Sequence, residues 1–300
     1  MFETSGAGKT RLLLEGLCDH WGFYISCFTK DKFVSGSHDF ETAVTTLQSM
    51  SSWNQNVGKN RDAAKRVFAM LLYARAFTLD QFLRRLPDQT DVREARRRWV
   101  LLQAMPPRTL DSDRDIFDVL FRSLRDADTD TMLSFIEETP FLLSSQRWDL
   151  FPLVEGFRAH YFVIIDEAQE AADHLTEYFR SDTGVDLRPI LREFYLILHS
   201  SSWARGIILS GTRLSTEIAK NSIGSSAMKQ STRPTGIEFF TDTGRFLDND
   251  PFQREYVLRY LSLSQDNISD ARLLERILYW FPGRCVFVQD LFDICRCMKF

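Results

Sequence analysis

The residues Thr4-Ser5-Gly6-Ala7-Gly8-Lys9-Thr10, near the start of the chain, have the types and order that hold a phosphate group. In the pattern GxxxxGK[ST], successive backbone N–H groups wrap the anion and glycines keep the turn open. A lysine then reaches the β- and γ-phosphates, and a hydroxyl ligates Mg2+. On that register Gly8, Lys9 and Thr10 match, and Glu3 stands where the first glycine belongs. A helix opening at Lys9 directs its positive end at the same anion. Ser5, Gly6, Gly8, Lys9, Thr10 and Arg11 are therefore the expected nucleotide contacts.

A second group lies far downstream in Tyr161-Phe162-Val163-Ile164-Ile165-Asp166-Glu167-Ala168-Gln169. Five apolar residues followed by two acids read as a buried parallel strand delivering carboxylates at its C-terminal end, where open α/β sheets bind ligands. Asp166 is expected to share the Mg2+ shell with Thr10, and Glu167 to polarise the water that attacks a γ-phosphate. A further strand, Gly206-Ile207-Ile208-Leu209-Ser210, closes on Gly211-Thr212-Arg213. Ser210 or Thr212 could sense the γ-phosphate there, and Thr212 could equally cap a helix over Leu214–Lys220. Arg284, fixed after Pro282-Gly283, and Arg213 are the arginines that could stabilise transition-state charge. A capping or surface role for Arg284 fits the sequence as well.

These residues need elements to position them. Leu12, Leu13 and Leu17 give a helix from residue 9 to about 20, ended by Gly22, and Phe23–Phe28 reads as a strand. From about 39 to 146 the periodicity is helical almost throughout: Phe40–Met50, Arg61–Leu86, Val92–Met105, Arg114–Arg125 and Thr131–Glu137. That much helix between two strands suggests an insertion or lid on an α/β core. Helices at about 170–181 and 186–199 separate the acidic strand from the next. Residues 221–236 are rich in Ser, Thr and Gly and read as a flexible loop. Helices follow at about 250–262, 269–281 and 287–298. The expected organisation is a core over 1–220, the loop, and a C-terminal helical subdomain over 237–300.

Composition sets outer bounds. The chain has 300 residues, 44% hydrophobic and 26% charged, which suits a globular protein with a substantial core. A net charge of −4 supplies no global basic field for coating nucleic acid. The one basic cluster, Arg84, Arg85, Arg93, Arg96, Arg97 and Arg98, reads as a solvated helix face, with a nucleic-acid or partner contact as the alternative. Cys18, Cys27, Cys285, Cys295 and Cys297 lack metal-ligand spacing and read as reduced thiols in an intracellular setting. No stretch approaches the ~18–20 apolar residues of a membrane span, and no signal-peptide pattern opens the chain.

Taken together the motifs resemble the P-loop ATPase domain of Crinkler-type effector proteins and of related retrotransposon-hot-spot-like proteins, found in oomycetes and fungi. The residues that carry the resemblance are Thr4–Arg11, Ile164–Gln169, Leu209–Thr212, Phe239-Phe240-Thr241-Asp242 and Gly283-Arg284. The resemblance implies an AAA-like or STAND-like ATPase core with a sensor-type arginine in a helical region after the last strand. It also implies an N-terminal ubiquitin-like or targeting header, and a C-terminal nuclease-like or kinase-like effector domain, in the longer proteins of the family.

The expected fold is thus an α/β P-loop NTPase with a parallel sheet, a helical insertion and a C-terminal helical region. Only Met1 and Phe2 precede the phosphate loop, so the strand that normally leads into it is expected to be missing and the chain to be a fragment of a larger protein. The expected activity is hydrolysis of ATP with Mg2+ to drive a conformational switch. An inactive scaffold of the same fold is the alternative, with Glu3 and the missing strand as its grounds. Expected partners are ATP and no membrane, with self-association left open and nucleic acid reached through a missing effector domain. Cytoplasm or nucleus is the expected compartment, or secretion into a host if a header was lost.

Overall fold

The computed structural model describes residues 9–28, 35–50, 57–109, 114–146, 150, 161–180, 186–201, 203–212, 214, 254–255, 257–258, 263 and 267–280. The chain divides into two compact units, residues 13–238 and residues 1–12 with 239–300. It is an α/β protein, mostly helical, with a three-stranded parallel sheet.

In the larger unit the sheet is formed by β1 (Gly22–Ser26), β2 (Tyr161–Asp166) and a strand over Ala204–Leu209, in that spatial order. The helix α1 (Lys9–Asp19) leads into β1. Every residue of β1 is buried, and β2 is buried at all but Phe162. These strands therefore read as near-continuous apolar runs rather than alternating ones. On one face Phe23 packs against Tyr161 at 5.4 Å and edge-on against Trp203 at 5.7 Å. The other face, by the two-residue alternation of a strand, carries Tyr24, Ser26, Ile164 and Asp166.

Among the described residues, five helices lie between β1 and β2: α2 (Asp39–Gln48), α3 (Val57–Arg85), α4 (Val92–Ala104), α5 (Ile116–Ser123) and α6 (Thr129–Gln146). All five fall where apolar periodicity predicts them, with α6 longer at both ends. Asp91 and Asp115 cap α4 and α5 by accepting from the second and third N–H groups of each helix. Beyond β2 come α7 (Ala168–Asp173), an antiparallel pair β3 (Phe179–Arg180) and β4 (Leu187–Arg188), α8 (Ile190–Ser200), and β5, the Ala204–Leu209 strand. The 29-residue α3 is the spine of the helical layer. Its Phe68 stacks on Phe194 of α8 at 4.4 Å, and Phe40 of α2 joins them at 6.2 Å from Phe194.

Two expectations are corrected here. The helix expected over about 170–181 ends at Asp173, and Phe179–Arg180 is extended. Gly22, expected to end α1, is the first residue of β1. A Cβ there would come within 2.4 Å of the Phe162 carbonyl oxygen and 2.6 Å of Leu17, so strand and helix approach too closely for a side chain.

The outer edge of β1 is covered by α4. Tyr24 N–H donates to Oε1 of Gln103 at 2.9 Å, and Nε2 of Gln103 donates to the Gly22 carbonyl at 3.2 Å. Trp99 Nε1 donates to the same carbonyl at 2.8 Å. A single buried glutamine thus answers the backbone groups that a neighbouring strand would otherwise meet.

In the smaller unit a helix, α9 (Ile268–Trp280), buries Leu274 and Ile277 against Val257, with Leu258, Leu263 and Leu278 around them. The helix expected over 287–298 and the loop over 221–236 lie outside the described residues.

The helical layer holds a fully buried ion pair. Arg75 Nη2 donates to both carboxylate oxygens of Asp39, at 2.9 and 2.8 Å, and its guanidinium lies 4.7 Å from the centre of the Phe117 ring. Both side chains are 0% exposed. Removing one partner strands the other's charge, so Asp39→Ala should cost about 3–5 kcal/mol in urea denaturation. Pairing Asp39→Leu with Arg75→Met should recover most of that loss, because neither partner's charge is then left buried and unpaired.

Candidate functional site

The three parallel strands end in a row of polar residues. Ser26 closes β1, Asp166 closes β2 directly opposite it, and Ser210 follows the Leu209 that pairs with Ile165. All three are buried, at 4%, 2% and 0% exposure. Polar side chains at the ends of otherwise apolar strands need partners, because a buried charge without hydrogen bonds is strongly disfavoured.

Asp166 has such partners. Its Oδ2 accepts from the Tyr24 hydroxyl at 2.9 Å, and its Oδ1 accepts from the Glu167 backbone N–H at 3.1 Å. Burial, reinforced by the charge of Asp166, drives the Tyr24 phenol far above its ordinary ionisation range, so it remains a donor. Burial first, then the same carboxylate, pushes the Cys27 thiol up as well. Cys27 is therefore an inert core thiol rather than a nucleophile. Cys18 and Cys27 are both free.

Glu167 follows at φ 53°, ψ 39°, a left-handed conformation that few non-glycine residues adopt. Two bonds fix this turn at the head of α7. Ala168 N–H donates to the Ser210 carbonyl at 2.8 Å, tying the turn to β5. Gln169 Nε2 donates to Oε2 of Glu167, an orientation that follows because a carboxylate only accepts. The Gln169 carbonyl oxygen then points at Gly211, where a Cβ would sit 2.0 Å from it. Gly211 is glycine because Gln169 occupies the space of a side chain. Strain of this kind persists where surrounding structure over-determines it, often at functional sites.

Three buried polar atoms in this region have no hydrogen-bond partner within the protein: Ser26 Oγ, Ser210 Oγ and Gln169 Oε1. All are hard oxygen donors flanking Asp166 in sequence or register. Among the described residues no group of three or more His, Cys, Asp or Glu side chains could enclose a metal. One carboxylate with flanking hydroxyls nonetheless suits Mg2+, which keeps several waters and takes further oxygens from a phosphate substrate.

Among the residues expected from sequence, Asp166, Glu167, Ser210 and Thr212 lie at the C-terminal ends of the adjacent strands β2 and β5. Lys9, Thr10 and Arg11 form the first turn of α1, with Lys9 buried and Arg11 exposed. Ser5, Gly6, Gly8, Arg213 and Arg284 lie outside the described residues. Sequence reasoning missed Tyr24 and Ser26. Polar tips alternate in Phe23-Tyr24-Ile25-Ser26, but that composition marks a strand without marking which face meets Asp166.

The basic cluster is largely engaged within the protein. Arg84 bonds Asp80 and Arg98 bonds Glu94, each at 2.8 Å; Arg85 bonds Gln81. Arg93 pairs with Asp19 at 3.6 Å, and Arg96 reaches the Asp19 carbonyl at 2.8 Å while lying over Trp21. That is the pattern of a solvated helix face. No helix among the described residues is long and apolar enough to cross a membrane.

The Gly211–Gln169 contact makes a direct prediction. Gly211→Ala must displace the Gln169 side chain and release Glu167, with a stability loss of about 1–3 kcal/mol in chemical denaturation. Adding Gln169→Ala removes the clash and should return most of that loss.

No family model, curated protein or solved structure matches the chain, so the functional reading rests on the arrangement of these residues.

Proposed function

We propose that the chain is a P-loop ATPase domain of the Crinkler-like kind, hydrolysing ATP with Mg2+ to drive a conformational switch. The observation that carries this reading is Asp166 and Glu167 at the C-terminal end of a buried parallel strand flanked by two others. Carboxylates at that end of a parallel sheet, in a chain that also carries Gly8-Lys9-Thr10, are the halves of one metal–phosphate chemistry.

The roles divide by chemistry. The backbone N–H groups of the Ser5–Gly8 loop and the Lys9 ammonium neutralise phosphate oxygens, and Thr10 offers a hydroxyl to the cation. Thr10 and Asp166 would hold Mg2+, which would supply charge neutralisation to the phosphates. Asp166, whose oxygens accept from the Tyr24 hydroxyl and the Glu167 N–H, would be the carboxylate ligand of that ion. Glu167 accepts a proton from water as the water oxygen bonds the γ-phosphorus and ADP leaves. Its left-handed backbone sets Glu167 in the turn between the C-terminal end of β2 and α7. Ser210 and Thr212 supply hydroxyls for the γ-phosphate or the attacking water, and Arg284 or Arg213 the compensating charge. ATP is preferred over GTP because the sequence lacks an Asn/Thr-Lys-x-Asp guanine-reading motif.

The test is Mg2+-dependent binding of a fluorescent ATP analogue, with hydrolysis measured alongside. Lys9→Ala is expected to abolish binding. Glu167→Gln should keep binding while slowing turnover by about 10²–10⁴-fold, the usual contribution of a positioned base. Binding without turnover in the unaltered chain would identify an inactive fold serving as an interaction module. Failure of the unaltered chain to bind at all would sink the nucleotide reading.

A further inference from the structure

We infer that Tyr24 is a positioning residue for the Asp166 carboxylate, setting the affinity of this site for a divalent cation. The inference rests on the ATPase reading above and deepens it by assigning a role to a residue no phosphate-loop motif contains.

Three independent constraints hold Tyr24. Its backbone N–H is fixed by Gln103 from α4 at 2.9 Å. Its ring edge lies against Gly36, whose φ of 108° and bare Cα allow an approach that a Cβ would bring to 3.1 Å. Its hydroxyl, wholly buried, donates to Asp166 Oδ2 at 2.9 Å across neighbouring strands. With Glu167 N–H on Oδ1, both oxygens of the carboxylate are oriented from the protein side. Outer-shell donors of this kind fix the direction of a ligand's remaining lone pairs, and their loss typically weakens metal binding by about 10–100-fold. The neighbouring Ser26 hydroxyl, two residues along β1 on the same face, is buried without a partner in the protein. This end of β1 is therefore polar beyond what satisfying Asp166 alone requires.

A phenol that merely satisfies a buried acid and one that positions a cation ligand behave differently when the oxygen is removed. In the first case only the melting temperature falls. In the second, cation affinity falls while nucleotide affinity measured without metal does not. Tyr24→Phe removes one atom, keeps the ring against Gly36, and leaves Asp166 its bond from Glu167 N–H, so the chain stays folded.

The experiment titrates Mn2+, followed by electron paramagnetic resonance, into the full 300-residue chain with ATP. Unaltered protein, Tyr24→Phe and Asp166→Asn are compared, and metal-free ATP binding and thermal melts are recorded for each. The expected result is Mn2+ affinity lowered about 10–100-fold in Tyr24→Phe, lost in Asp166→Asn, and metal-free ATP affinity unchanged in Tyr24→Phe. Equal Mn2+ affinity in Tyr24→Phe and the unaltered chain would overturn the inference and leave the ATPase reading standing. An unaltered chain that takes up no Mn2+ beyond what free ATP holds would overturn both.

Discussion

A charge at the end of a buried strand is the constraint around which the larger unit is arranged. β2 is apolar because it lies between two other strands with both faces covered, yet its last residue is Asp166. Such a carboxylate is tolerated only if donors reach it, and each donor imposes its own requirement. The Tyr24 hydroxyl requires a tyrosine two positions before the end of β1, in the register that sets Ser26 opposite Asp166. The Glu167 N–H requires the chain to turn through a left-handed residue immediately after the strand. That turn is then tied to β5 through the Ser210 carbonyl, which fixes the loop where Gly211 and Gln169 meet.

Among the described residues, Asp39 and Asp166 are the most buried carboxylates, and Arg75 on the one and Tyr24 on the other are donors of different kinds. Asp39 meets a guanidinium that spans both its oxygens, with Phe117 over the cation, a closed arrangement that serves the packing of α2, α3 and α5. Asp166 accepts from a phenol and a backbone amide. Those two bonds orient its oxygens from neighbouring backbone and side chain rather than through a bidentate guanidinium.

Much of this was legible in advance. Helical periodicity located all five helices between β1 and β2, and the apolar run into Asp166-Glu167 located the strand that carries the acids. Asp166 was readable because a charge after five apolar residues is a strong local signal. Tyr24 was not, because its role depends on register with a strand some 140 positions away. The same holds for Gly22 and Gly211, whose reasons are close approaches to Phe162 and Gln169 rather than turns. The short pair β3–β4 was missed because two residues per strand carry no periodicity to detect.

Gln103 has an effect that reaches past its own hydrogen bonds. Parallel sheets with a free margin can recruit extended segments from other chains, and proteins commonly blunt that margin with charge, proline or a covering helix. Here an amide side chain imitates the backbone of a neighbouring strand on Tyr24 and Gly22, while Trp99 occupies the space beside it. The β1 margin is thereby closed to strand recruitment along that stretch.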